Sequence, residues 1–127
     1  MLKIKYLILN FTFLFLLGNA QAQLGHKAEL VFENAFHDLG ELNAGDLVEM
    51  EFEFINAGRQ PLIITEVKTT CGCTVADFPK TPVMKGEKRK IRVTYHATEP
   101  GAFQKTITVI SNSKNKDEEI VIEGFVK

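Results

Sequence analysis

Tryptophan is absent from this chain of 127 residues, and cysteine occurs only twice, at Cys71 and Cys73. Two cysteines that close cannot tie one sheet to another, so the antibody-type inter-sheet bridge packed on a tryptophan is excluded. Histidine is scarce too: His26, His37 and His96 fall in three different segments. A zinc centre would need two ligands beyond the cysteines, and these scattered imidazoles are the only nitrogen donors of that kind. A surplus of one charge is also missing. With 15 basic and 16 acidic residues the formal net charge is −1, which gives no reason to expect nucleic acid or an anionic membrane as partner. There is no Gly-rich phosphate loop, metalloprotease helix or nucleophile elbow. The chain reads as non-enzymatic.

Long apolar runs are limited to one. Met1–Lys5 is short and positive, Tyr6 to Leu17 is apolar, and Gly18–Ala22 is small-residue sequence ending Ala-Gln-Ala. That order is the signature of a secretory signal peptide over residues 1–22, cleaved between Ala22 and Gln23. An apolar run of about 12 residues is too short for a hydrocarbon core that takes about 20. The mature chain is therefore expected to carry no membrane span and to be periplasmic or secreted. No cysteine follows the run, so a lipid-anchored start is not supported. Residues 23–28 read as a flexible mature terminus and 29–127 as one domain.

From Ala28 onward the pattern has period two. Leu30 and Phe32 alternate with Glu29 and Glu33, and Phe36–Gly40 reads as a short edge segment. Val48, Met50, Phe52 and Phe54 alternate with Glu49, Glu51 and Glu53, as a half-buried strand requires. Asn56–Pro61 is a turn. Leu62–Val67 is nearly continuous and β-branched, which predicts burial on both faces for part of its length. Cys71 to Lys85 reads as a long loop. Ile91, Val93 and Tyr95 form the next strand, Phe103, Ile107 and Val109 another, and Ile120–Phe125 the last, after a polar turn at Asn112–Lys116. Seven or eight short strands with no amphipathic helix predict an all-β, immunoglobulin-like β-sandwich. Glu49, Glu51 and Glu53 on one strand and Lys88, Lys90 and Arg92 on another predict an antiparallel charge ladder. The dense basic run from Lys85 to Arg92 is then the solvent side of a hairpin.

Asn56-Ala57-Gly58, Pro61–Ile64, Thr70-Cys71-Gly72-Cys73-Thr74, Gly86-Glu87, Ile91–Val93 and Gly101–Ile107 together carry a resemblance. From about Phe32 to Val126 the chain resembles the bacterial domain-of-unknown-function family 1573, whose members have a Cys-Gly-Cys-Thr loop. The resemblance implies a fold similar to the Ig-like domains of the major sperm protein, ASH and Hydin group. Those serve largely as protein-binding and structural modules. It thus implies an envelope or secreted protein as partner.

Cys71 and Cys73 are the candidate site, and three readings stand side by side. In an oxidising compartment they can form a disulfide. Alternate residues of an extended strand lie at the upper limit of bridging distance, and Gly72 can tighten the turn. Closing so short a loop contributes only about 1.6 kcal/mol, and an exposed bridge is easily reduced, the profile of a redox pair. Alternatively, two thiolates hold Cu(I). In the third reading both are small, mostly buried residues at a strand end, with Gly72 and Thr74 shaping the loop. A nucleophilic cysteine would need a base and an orienting group, and no histidine adjoins this loop in sequence.

Overall fold

The computed structural model describes residues 27–127. The expected signal peptide, its cleavage point at Ala22 and Gln23, and residues 23–26 of the expected mature terminus lie outside the described residues.

The alternating side chains sort themselves onto two sheets. In chain order the strands are β1 (Leu30–Phe32), β2 (Phe36–Leu42), β3 (Leu47–Asn56), β4 (Ile64–Thr69), β5 (Thr74–Asp77), β6 (Lys88–His96), β7 (Gly101–Ser111) and β8 (Asp117–Val126). One sheet runs β1-β3-β6-β5 and the other β2-β8-β7-β4. No helix occurs among the described residues. This is the arrangement of an immunoglobulin-like sandwich. Its first strand is divided: β1 pairs antiparallel with β3, and the chain then changes sheet so that β2 runs parallel to β8. The Val121 N–H donates to the Ala35 carbonyl at 2.8 Å where the chain arrives in the second sheet. Between the sheets lie Met50, Phe52 and Phe54 of β3, Ile91, Val93 and Tyr95 of β6, Ile107 and Val109 of β7, and Ile120 and Ile122 of β8. Burying large apolar side chains stabilises by roughly 1.5–3 kcal/mol each, so this layer dominates the favourable side of folding.

The outer face of the first sheet carries the charge ladder. In the register of β3 against β6, Glu51 lies opposite Arg92 and Glu53 opposite Lys90. Lys90 reaches Glu51 at 3.0 Å and Glu53 at 3.9 Å, while Arg92 reaches Glu49 at 2.8 Å and Glu51 at 3.4 Å. Lys88 falls opposite Ile55 instead. These pairs are exposed, so each contributes little to stability. Their value is register, since a slip of one residue would turn every glutamate toward the core. The hydrogen bond and charge of Lys90 hold the Glu51 carboxyl below its ordinary 4.5, and Glu51 in turn raises Lys90.

Two expectations are corrected. Leu62–Val67 is not buried on both faces: Leu62 and Ile64 point inward, whereas Ile63 is 45% exposed and Thr65 and Glu66 face solvent. The reason is that a two-layer sandwich covers only one face of each sheet. Leu62 precedes the strand and makes an isolated antiparallel bridge to Val83. Cys71–Lys85 is not all loop either, because Thr74–Asp77 forms β5 on the edge of β6. Four residues are too few for a period-two pattern to stand out.

Asn56 closes the end of β3. Its side chain is fully buried, and its Oδ1 accepts from Glu29 N–H at 3.1 Å and Gly58 N–H at 3.0 Å. Its Nδ2 donates to the carbonyls of Gln60 at 2.7 Å and Val83 at 2.9 Å. Gly58 must lack a side chain here, since a Cβ would fall within 2.0 Å of the Lys27 carbonyl oxygen. Replacing the amide leaves the Glu29 and Gly58 N–H groups and the Gln60 carbonyl without this partner, while the Val83 carbonyl keeps the Leu62 N–H. Asn56→Ala is expected to cost about 3 kcal/mol, read as a lower urea midpoint at unchanged slope. In a carboxyl NMR titration Glu51 should titrate below 4.5 and move up toward it in Lys90→Met. The ladder's contribution is accordingly present above the ordinary glutamate pKa and fades as pH falls through the lowered one.

Candidate functional site

Only four residues, Thr70 to Cys73, separate β4 from β5, and so tight a return is what brings the two cysteines together. Their sulfurs are bonded at 2.04 Å, with Cα atoms 5.4 Å apart. Three hydrogen bonds to the cysteine carbonyls hold the turn. The Cys71 carbonyl accepts from the Thr74 N–H at 3.3 Å and from the Thr69 hydroxyl at 3.3 Å. The Cys73 carbonyl accepts from the His96 N–H at 2.8 Å, which continues the β5–β6 ladder up to the bridge. Thr74 is buried, and its Oγ1 lies 3.8 Å from the Cys71 sulfur. Gly72 is exposed, sits outside the left-handed region, and a Cβ there would meet nothing within 4 Å. The turn is therefore shaped by the bridge and by Thr74 and Thr69, with no use of glycine's extra freedom.

Both cysteines are half-buried and border an open cleft of 630 Å³ at this end of the sandwich. Across it lie Tyr95, Glu99, Phe103 and Lys105. The rings of Tyr95 and Phe103 stack with centroids 4.4 Å apart. Burial, and after it the charge of Glu99, push the Tyr95 phenol above its ordinary value of 10.0. These residues come from the end of β6, the connection that follows and the start of β7, more than twenty positions from the cysteines. Strand register alone brings them together, and no local motif announces it.

Neither of the two described histidines brings its imidazole to the bridge. His96 meets Cys73 through its backbone, with its imidazole on the exposed face, and His37 packs edge-on against Phe52 at 6.1 Å. His26 lies outside the described residues. Among the described residues there is no cluster of three or more histidine, cysteine or acidic side chains placed to hold a metal ion. The bridged sulfurs present no thiolate, so the Cu(I) arrangement belongs to the reduced pair.

The surface has a second feature. Val31 on β1, Phe36 on β2 and Val75 on β5 are 39%, 44% and 65% exposed, and Ile63 directly before β4 is 45% exposed. Each of the four edge strands thus carries, or is immediately preceded by, an exposed apolar side chain. Among the described residues no helix is long and apolar enough to cross a membrane.

The sequence model of the family described as "Protein of unknown function (DUF1573)" matches residues 30–126. None of the curated proteins matches the chain. Among solved structures it is similar to a protein of unknown function from Porphyromonas gingivalis W83, with 18% identity and a TM-score of 0.69 over 84% of this chain. The chain spans about half, 51%, of that protein's length. It is similar as well to the ASH / PapD-like domain 7 of human CEP192, at 10% identity and TM-score 0.68, covering 81% of this chain and 88% of that one. A third similarity is to the CsuC–CsuE chaperone–tip adhesion subunit complex of Acinetobacter baumannii Csu pili, at 13% identity and TM-score 0.56, covering 79% and 58%. Identities this low establish the fold.

The Tyr95 environment can be checked directly. Its ring resonances should titrate above pH 10.0 in an NMR pH series. Glu99→Gln should lower the midpoint while leaving it above 10.0, because burial is the larger cause.

Proposed function

The chain belongs to the family described as Protein of unknown function (DUF1573), and from that premise we propose that it is an exported, non-enzymatic Ig-like module that binds a protein partner in the cell envelope or outside the cell. One observation carries this reading: every edge of the two open sheets bears, or is directly preceded by, an exposed apolar side chain. Edges left to solvent are usually blunted by charge, proline or a covering segment, since their free N–H and C=O groups recruit another strand. An extended segment of a partner can add to such an edge, the backbone supplying hydrogen bonds and a side chain such as Val75 supplying an apolar contact. Export is supported by the charged, apolar and small-residue order of residues 1–22. The similarity in fold to a pilus chaperone in complex with a tip adhesion subunit agrees with a partner-binding role.

A thiol-based function is the second reading, favoured by a half-buried bridge at the rim of an open cleft. Reduced, the two sulfurs would be soft ligands for Cu(I). Mass spectrometry after thiol labelling, with and without Cu(I), separates the cases: two sulfurs that stay unlabelled under a millimolar dithiol and bind no copper remove this reading.

The edge reading is tested by placing a photo-crosslinking residue at Val75 or Phe36, with Glu51 as a control, in the protein expressed in its host. A single protein of defined mass should be captured at an apolar edge and not at Glu51. Val75→Lys, which puts a charge on that edge, should lower a Val75-side interaction about ten-fold. Absence of a specific adduct at Val75 and Phe36, and at Val31 and Ile63 on the two remaining edges, would set the proposal aside.

A further inference from the structure

We propose that the Cys71–Cys73 bridge is a thiol-exchange site for dithiol reductants, and that its redox state sets the order of edge strand β5. The consequence for partner binding rests on the edge-docking reading above.

Strand β5 is four residues long and has a single sheet neighbour, β6. Its leading end is not held by its own ladder alone. The Thr74 N–H bonds back to the Cys71 carbonyl, and the Cys73 carbonyl takes the His96 N–H. Both contacts need the turn to keep its shape. The three-residue ring closed by the sulfurs fixes that shape, and so short a staple acts locally. Val75, the exposed apolar residue of this edge, is only two positions beyond the bridge.

The chemistry has a direction. Both cysteines border an open cleft, so a small dithiol reaches them. Its thiolate attacks the Cys73 sulfur, the S–S bond breaks, and the electron pair passes to the Cys71 sulfur. That sulfur lies 3.8 Å from the Thr74 hydroxyl, which can donate to the thiolate as it forms. The reductant's second thiolate then attacks its own bound sulfur. Cys73 is released, and the reductant departs as a cyclic disulfide. The protein has gained two electrons and, through solvent, the two protons the dithiol gave up. In this scheme Thr74 is a positioning residue.

Amide hydrogen exchange measured by mass spectrometry on the folded protein, with and without millimolar dithiothreitol, tests the idea. Amides of residues 73–77 should exchange roughly ten-fold faster after reduction, with β7 and β8 unchanged. A Cys71→Ser, Cys73→Ser double variant should show the fast exchange with or without the dithiol. Equal exchange in both states, or a bridge that resists the dithiol in the folded protein, overturns the proposal. Thiol-labelling rates should fall several-fold in Thr74→Val and recover in Thr74→Ser; unchanged rates overturn the assignment of Cys71 as leaving sulfur. Crosslinking from Val75 separates this inference from the docking reading. An adduct lost on reduction supports both, and an adduct equal in both states overturns the gating while docking stands. No adduct in either state overturns docking at this edge, and the exchange data still decide the order of β5.

Discussion

The buried amide of Asn56 is the contact on which the first sheet's geometry depends. It stands at the end of β3, and its four hydrogen bonds run to Glu29 before β1, to Gly58 and Gln60 in the following turn, and to Val83 across the molecule. Its backbone adds to this: the Asn56 carbonyl accepts from Gly86 at 2.8 Å and its N–H donates to Glu87 at 3.2 Å. One side chain thus ties the leading segment, the β3–β4 connection and the approach to β6 into a single rigid corner. A fully satisfied buried amide is specific because any other packing leaves it unpaired in a low-dielectric interior. Gly58 belongs to the same device, since only a residue without a Cβ lets the Lys27–Glu29 backbone come so near.

The strands that were legible in sequence are those long enough to repeat their pattern. Val48 to Phe54 and Ile91 to Tyr95 alternate over four and three cycles, and the opposite charges of their outer faces also gave their pairing. β5 was hidden because two cycles, Thr74 to Asp77, are indistinguishable from irregular chain. The apolar run at Leu62–Val67 misled for a physical reason: β-branched residues suit any strand, and only the layer count decides which faces are covered. Asn56-Ala57-Gly58 looked like ordinary turn chemistry, and its role as a buried hub depends on partners 27 positions away in both directions. Tyr95, Glu99, Phe103 and Lys105 could be placed beside the cysteines only by knowing that β5 pairs with β6 and β4 with β7.

The two ends of the sandwich are built on different principles. At the Asn56 end, order comes from polar groups sealed from water. At the Cys71 end, a short covalent link and a stacked aromatic pair stand at an open cleft. The first end resists rearrangement because every opening exposes unpaired groups. The second has fewer such penalties and a bond that can be made and broken chemically. A fold that concentrates its rigidity at one end leaves the other free to change with its surroundings.

The parallel pairing of β2 with β8 has a bearing on how copies of this chain meet. In many open sandwiches the final strand is a bare flank that a second copy can trade or extend. Here β2 lies along β8, with five of its seven residues paired on either side of a bulge, so that flank is already taken from within. Exchange of the terminal strand between molecules would first have to peel this segment away, together with its parallel register. Runaway head-to-tail polymerisation through β8 is therefore disfavoured by the topology itself.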